Sequence, residues 1–186
     1  MSVILDIVGA ALIVGILMLC IFGMIGNLHQ TSYDKVFSTN TQSNAVTLAR
    51  ILESDFVKIG YHVPDSVAAV LTADSTSIAF ISDITNTGTL DTIRYYIGSV
   101  TDAEPAKTKN PNDRLIFREK NSSSTIHANV GLTSFSLMYF DSTGVATNVR
   151  SLIKSIRIKF RVESPTPTDA SYTGTFWDKT IFPRNL

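Results

Sequence analysis

The apolar pattern of this chain changes character near residue 27. Residues 3–26, VILDIVGAALIVGILMLCIFGMIG, carry one charged side chain, Asp6, whereas residues 27–186 alternate apolar and polar positions in the manner of a β-rich soluble domain. At about 1.5 Å of rise per residue, that apolar stretch forms a helix of roughly 36 Å, longer than the hydrocarbon core of a bilayer. No basic residue precedes it and Met24-Ile25-Gly26-Asn27-Leu28 makes a poor cleavage site, so a retained helix fits better than a removable signal peptide. Orientation is not set by flanking charge, because the nearest Lys or Arg is Lys35.

A helical period continues beyond Gly26. Tyr33, Phe37, Leu48, Leu52, Phe56 and Ile59 fall on one stripe, with Thr41 and Ala45 filling its middle. Gly60 is a stop signal and Pro64 prevents resumption. The pattern predicts one helix from about Val3 to Ile59, about 85 Å long and loosened around Gly23 and Gly26, each of which costs roughly 1 kcal/mol relative to Ala. From Ser77 onward the period becomes two. Strands are expected at Ser77–Ser82, Leu90–Ile97, Arg114–Arg118, Thr125–Ala128, Leu132–Phe140 and Ile153–Glu163. Asn86-Thr87-Gly88 and Asp141-Ser142-Thr143-Gly144 are turns, Thr101–Asp113 with Pro105 is an exposed loop, and Phe176, Trp177 and Phe182 mark a short aromatic tail. The expected fold class is α+β. A long N-terminal α-helix with an apolar first half packs on a C-terminal antiparallel β-sheet domain, divided as 1–28 for the transmembrane or filament-core helix, 29–60 for its amphipathic half and 61–186 for the β-rich domain.

Composition changes this picture little. At 186 residues and 44% apolar content the chain can hold one ordinary core, and its 16 basic and 16 acidic residues cancel, indicating no polyanionic partner. Cys20 is the one cysteine and lies in the apolar helix, where a thiol behaves as a small hydrophobe.

Several patterns carry candidate chemistry. A lone carboxylate in hydrocarbon costs about 2.5–3.5 kcal/mol or more, so Asp6 must be neutralised, find a cation, or lie at the membrane interface and reach water. Gly9, Ala10, Ala11 and Gly15 form a small-residue patch that lets helices approach closely, although ordinary membrane-helix composition gives the same pattern. Arg157, Lys159 and Arg161 form a basic stripe on one face of the last long strand. Such a stripe can touch phosphates, but it reads first as a solvated face whose charges guard a sheet edge, so nucleic acid is not an expected partner. Asp83 to Gly88 with Asp91 loosely resembles an acidic calcium loop, with too few carboxylates for a hard cation; a plain hairpin turn is expected. Asn121-Ser122-Ser123 fits a glycosylation sequon. His29, His62 and His127 lack metal-ligand spacing, and no phosphate loop, dinucleotide fingerprint or nucleophile elbow is present, so neither catalysis, a cofactor nor a small-molecule substrate is expected.

The N-terminus resembles type IV pilins and type II secretion pseudopilins. With Ser2 counted as the first mature residue, Asp6 falls where the family keeps an acid, usually Glu, and Gly15-Ile16-Leu17 matches a Gly-Ile-Leu common in pilins. Gly23 stands where the family often has a helix-breaking Pro. Leu52-Glu53-Ser54-Asp55-Phe56, Ser77-Ile78-Ala79-Phe80, Asp91 to Tyr96, Leu115 to Arg118, Phe135 to Asp141 and Pro183-Arg184-Asn185-Leu186 are similar, in order, to PilW-type minor pilins and J-type pseudopilins. Met1 stands where the family's leader ends in Gly, and Ser2 where a methylated Phe is common.

The resemblance implies a structural subunit of a pilus-like or pseudopilus filament and no enzyme. Ser2, Asp6, Gly9, Gly15, Gly23 and Gly26 would be its assembly residues. Asp6 would pair with the N-terminal amine of an adjoining subunit, and a basic leader ahead of Met1 would have been removed or omitted. The implied partners are other copies in a helical filament or other pilins, and the inner membrane before assembly. The implied location is that membrane and then the cell surface or a periplasmic pseudopilus. The alternative left open by the residues is a single-pass membrane protein whose extracytoplasmic domain binds a partner without polymerising.

Overall fold

A computed structural model describes residues 2–186 apart from 103, 105, 106, 123 and 169, and without the side chains of residues 2, 124, 126 and 127. Helix α1 runs Ser2–Val57, and seven strands follow: β1 Val70–Ala73, β2 Ser77–Ser82, β3 Asp91–Ile97, β4 Arg114–Lys120, β5 Ser124–Phe140, β6 Ser155–Glu163 and β7 Gly174–Ile181. They form one antiparallel sheet in sequence order, β1 through β7. This is the expected α+β class. The chain divides into two compact units, Met1–Phe37 and Ser38–Leu186.

In the first unit α1 is unbroken through Gly23 and Gly26, so the loosening expected there is absent from the single chain. Each glycine costs roughly 1 kcal/mol relative to Ala, which the long run of helical residues on either side of 23–26 tolerates.

In the second unit the helical stripe of Ala45, Leu48, Ala49, Leu52 and Phe56, followed by Ile59, is buried on the inner face of the sheet. Phe80, Ile93, Tyr95, Leu137, Ile156, Ile158 and Phe160 meet it from the strands. Phe56 contacts Phe80 edge-on at 5.8 Å between ring centroids and Tyr95 at 5.7 Å. The expected stripe also included Tyr33, which is 62% exposed instead. The helix ends two residues earlier than expected, at Val57. Lys58 and Ile59 donate to the carbonyls of Asp55 and Phe56 in a tightened last turn, and Gly60 takes a left-handed φ of 78°.

The strands at Ser77–Ser82, Asp91–Ile97, Arg114–Lys120 and Ser155–Glu163 match expectation within a few residues at their ends. Three differences stand out. Thr125–Ala128 and Leu132–Phe140 are one strand, β5, that pairs β4 through its first half and β6 through its second. The apparent gap is a bulge at Gly131, whose φ of 77° and close approach to the Glu163 carbonyl leave no room for a side chain. Asn44 of α1 donates to the Val130 carbonyl freed there, at 3.1 Å. The expected aromatic tail contains β7, where Trp177 stacks on Phe160 with centroids 5.0 Å apart. Strand β1, only four residues long, was not expected.

The segment 101–113 is not wholly exposed. Asn110 is buried and its amide donates to Glu163 at 3.0 Å and to the Ser164 carbonyl at 3.3 Å; Pro105 of that segment lies outside the described residues. Nor do the cations of β6 guard an edge, because β6 lies between β5 and β7. Arg157 makes a two-pronged ion pair with Asp178 at 2.7 and 2.6 Å, Lys159 joins it at 3.7 Å, and Arg161 binds Glu163 at 2.8 Å.

A side chain at residue 131 must both adopt positive φ and displace backbone. Gly131→Ala is therefore expected to destabilise the domain by about 2–3 kcal/mol, read as a lower urea midpoint with unchanged slope. An unchanged midpoint would mean that the bulge relaxes freely.

Candidate assembly site and groove

Asp6, Gly9, Gly15, Gly23 and Gly26 all lie on α1, which begins at Ser2. Asp6 is exposed, and no hydrogen bond or ion pair holds it among the described residues. A Cβ built on Gly9, Gly15, Gly23 or Gly26 would meet nothing within 4 Å. The close approach that these glycines permit is therefore not used within the chain. Val3, Ile4, Leu5, Ile7, Leu12, Ile16 and Leu19 are likewise exposed, as are Phe22, Met24 and Leu28. The helix is long and apolar enough to cross a membrane, and its most apolar stretch is not buried by the rest of the molecule. The five residues share one element, yet the single chain brings none of them to a partner.

The second unit holds a cluster that the sequence pattern did not single out. Asp55 sits on the flank of the buried stripe and is itself buried. Its Oδ2 accepts from the Tyr95 hydroxyl at 2.5 Å and from Arg118 Nε at 2.7 Å, and Arg118 Nε also reaches the Tyr95 oxygen at 3.1 Å. Burial, reinforced by the Asp55 charge, pushes the Tyr95 phenol far above its ordinary range. Burial alone would lower the Arg118 guanidinium, but its bond to Asp55 outweighs this and raises it. The three residues form the floor of a groove of about 500 Å³ with Leu48, Ile51, Ile116 and Ala128 among its walls and Arg50 at its rim.

The Asp83 turn is a hairpin staple. Asp83 is buried and accepts from the backbone N–H groups of Thr87 and Gly88 at 3.0 and 2.8 Å, and it pairs with His62 Nδ1 at 3.0 Å. Burial favours the neutral acid, but the bonds from His62, Thr87 and Gly88 outweigh it and hold the carboxyl below its ordinary value. Asp91 pairs with Lys120 at 2.9 Å instead of joining Asp83, and no group of three or more His, Cys, Asp or Glu among the described residues is placed to hold a metal ion. The sequon asparagine is also engaged: Asn121 Nδ2 donates to Asp91 and its Oδ1 accepts from Thr92, both at 2.8 Å, while Ser123 lies outside the described residues. His127 has no described side chain, and Cys20 is exposed on α1.

No family model matches the chain, and no curated protein matches it.

Removing one member of the buried pair strands the other in a low-dielectric site. Arg118 is partly exposed and Tyr95 still donates to Asp55, so Arg118→Met is expected to cost about 1–3 kcal/mol of domain stability, and the double change Asp55→Leu with Arg118→Met to recover much of that loss. A double-variant loss equal to the sum of the losses of the two single variants would show that the pair is not coupled. The lowered Asp83 pKa stabilises the fold above the unfolded carboxylate value of about 3.9. That contribution is lost as pH falls through the lower folded value, so the acid unfolding transition of His62→Ala should begin at higher pH than that of the parent, as followed by circular dichroism.

Proposed function

We propose that this chain is a membrane-anchored protein whose N-terminal helix serves as both anchor and assembly element. More particularly, we read it as a subunit of a type IV pilus-like or pseudopilus filament. The observation that carries this reading is the uncovered first half of α1: a row of large apolar side chains, one acid near its start, and four glycines facing open space. Hydrocarbon can cover such a surface before assembly, and neighbouring helices of the same kind can cover it afterwards. In the second environment Asp6 meets the N-terminal amine of a neighbour, and the helix N-terminus favours a negative charge nearby. The β-domain is then displayed outside the helical core, with the inner membrane as the reservoir of subunits. The resemblance of its ordered segments to those of minor pilins and J-type pseudopilins supports the filament over a lone anchor.

The test separates assembly from insertion. Asp6→Ala should leave the amount of chain in the membrane fraction unchanged while reducing shear-released filaments at least about tenfold, since removal of a buried partner in an ion pair costs several kcal/mol per contact. Equal filament yield from the variant would assign Asp6 to the membrane interface. Recovery of the parent only as detergent-solubilised monomer would favour the non-polymerising anchor.

A further inference from the structure

Two surfaces of this chain complement each other, and neither is covered. The first is the groove beside the second half of α1. Its walls are apolar, and at its floor the Arg118 charge is matched by Asp55. Arg50, exposed at the rim, has no ion pair among the described residues. The groove therefore presents an apolar trough with one uncompensated positive charge.

The second surface lies on α1 in the first unit. Tyr33 and Val36 are 62% and 55% exposed, and Phe37, one turn from Tyr33, is half-buried. Asp34 flanks this patch, one turn from Phe37, and has no ion pair among the described residues. The patch continues the period of the buried stripe but is not covered as that stripe is. It presents an apolar ridge flanked by the unpaired Asp34, with the exposed Lys35 on the far side of the helix.

We propose that the Tyr33–Phe37 ridge of one copy docks in the groove of a second copy, with Tyr33 and Phe37 against Leu48, Ile51 and Ile116 and with Asp34 facing Arg50. The inference rests on the assembly reading given above and specifies one of its contacts. Packed helices lie about 8–10 Å apart, a span that an aspartate and an arginine bridge readily. Self-docking is favoured over an unrelated partner because both halves of the charge pair belong to this chain.

The test is a charge exchange in cells that assemble the full-length chain. Asp34→Arg and Arg50→Asp should each lower the yield of shear-released filaments roughly threefold to tenfold, and the double exchange should return it to within about twofold of the parent. Arg50 is exposed and Asp34 lies outside the folded domain's core, so thermal unfolding of the domain should not change and serves as the control for folding. In a Cys20→Ser background, Tyr33→Cys with Ile51→Cys should give intermolecular disulfides in filaments and none in detergent-dispersed monomer. Filaments from the parent with no rescue by the double exchange would overturn this contact while leaving the assembly reading intact. Absence of filaments from the parent would overturn both, and disulfides formed only to a different protein would overturn docking between copies.

Discussion

The packing of Leu48, Leu52 and Phe56 against Phe80, Tyr95, Ile158 and Phe160 is the contact on which the rest of the second unit depends. An antiparallel sheet of seven strands has two faces, and one must be covered for the domain to hold together. Each large apolar side chain so buried contributes about 1.5–3 kcal/mol, which offsets the cost of ordering long strands with distant partners. Other features follow from this contact. Asp55 is drawn under cover because it flanks the stripe, and Arg118 and Tyr95 must then satisfy it. Gly60 allows the chain to leave the helix and pass close to Asn185, where an added Cβ would come within 2.6 Å of a carbonyl oxygen.

The period of the sequence was a good guide wherever a single rule operated. Ser77–Ser82 was legible to the residue because a short apolar run, Ile78 to Ile81, is bounded by two serines and both ends carry turn chemistry. Strand β7 was not, because its inward positions are Thr175, Trp177, Lys179 and Ile181, and two polar residues among four hide the alternation. Gly131 read as a strand end because nothing local distinguishes a bulge from a break. The Asp55–Arg118 pair is 63 residues apart in sequence, so no short pattern announces it. Tyr33 was assigned to the core because its spacing is that of Leu48 and Leu52. Periodicity shows that a face wants a cover, not whether the cover lies in the same chain.

The candidate assembly residues divide in the same way. Asp6 and the glycines were visible as exceptions in an otherwise uniform apolar run, and their positions on α1 were fixed once the helix was. What would meet them was not visible, because the chain's own fold leaves the glycines uncovered and Asp6 exposed. The groove went unnoticed for the opposite reason: its walls come from α1, β4 and β5, and only folding brings Leu48 near Ile116 and Ala128.

Both margins of the sheet are closed to another strand. β1 is short and bulged, and the Arg150 guanidinium holds the Leu71 carbonyl at 2.6 Å. On β7, Lys179 faces inward and is fixed by Glu53 of α1 at 2.8 Å, so an incoming strand would have to settle beside a charge on the side where it needs apolar contact. The consequence is that molecules with such margins can be crowded side by side without their sheets fusing.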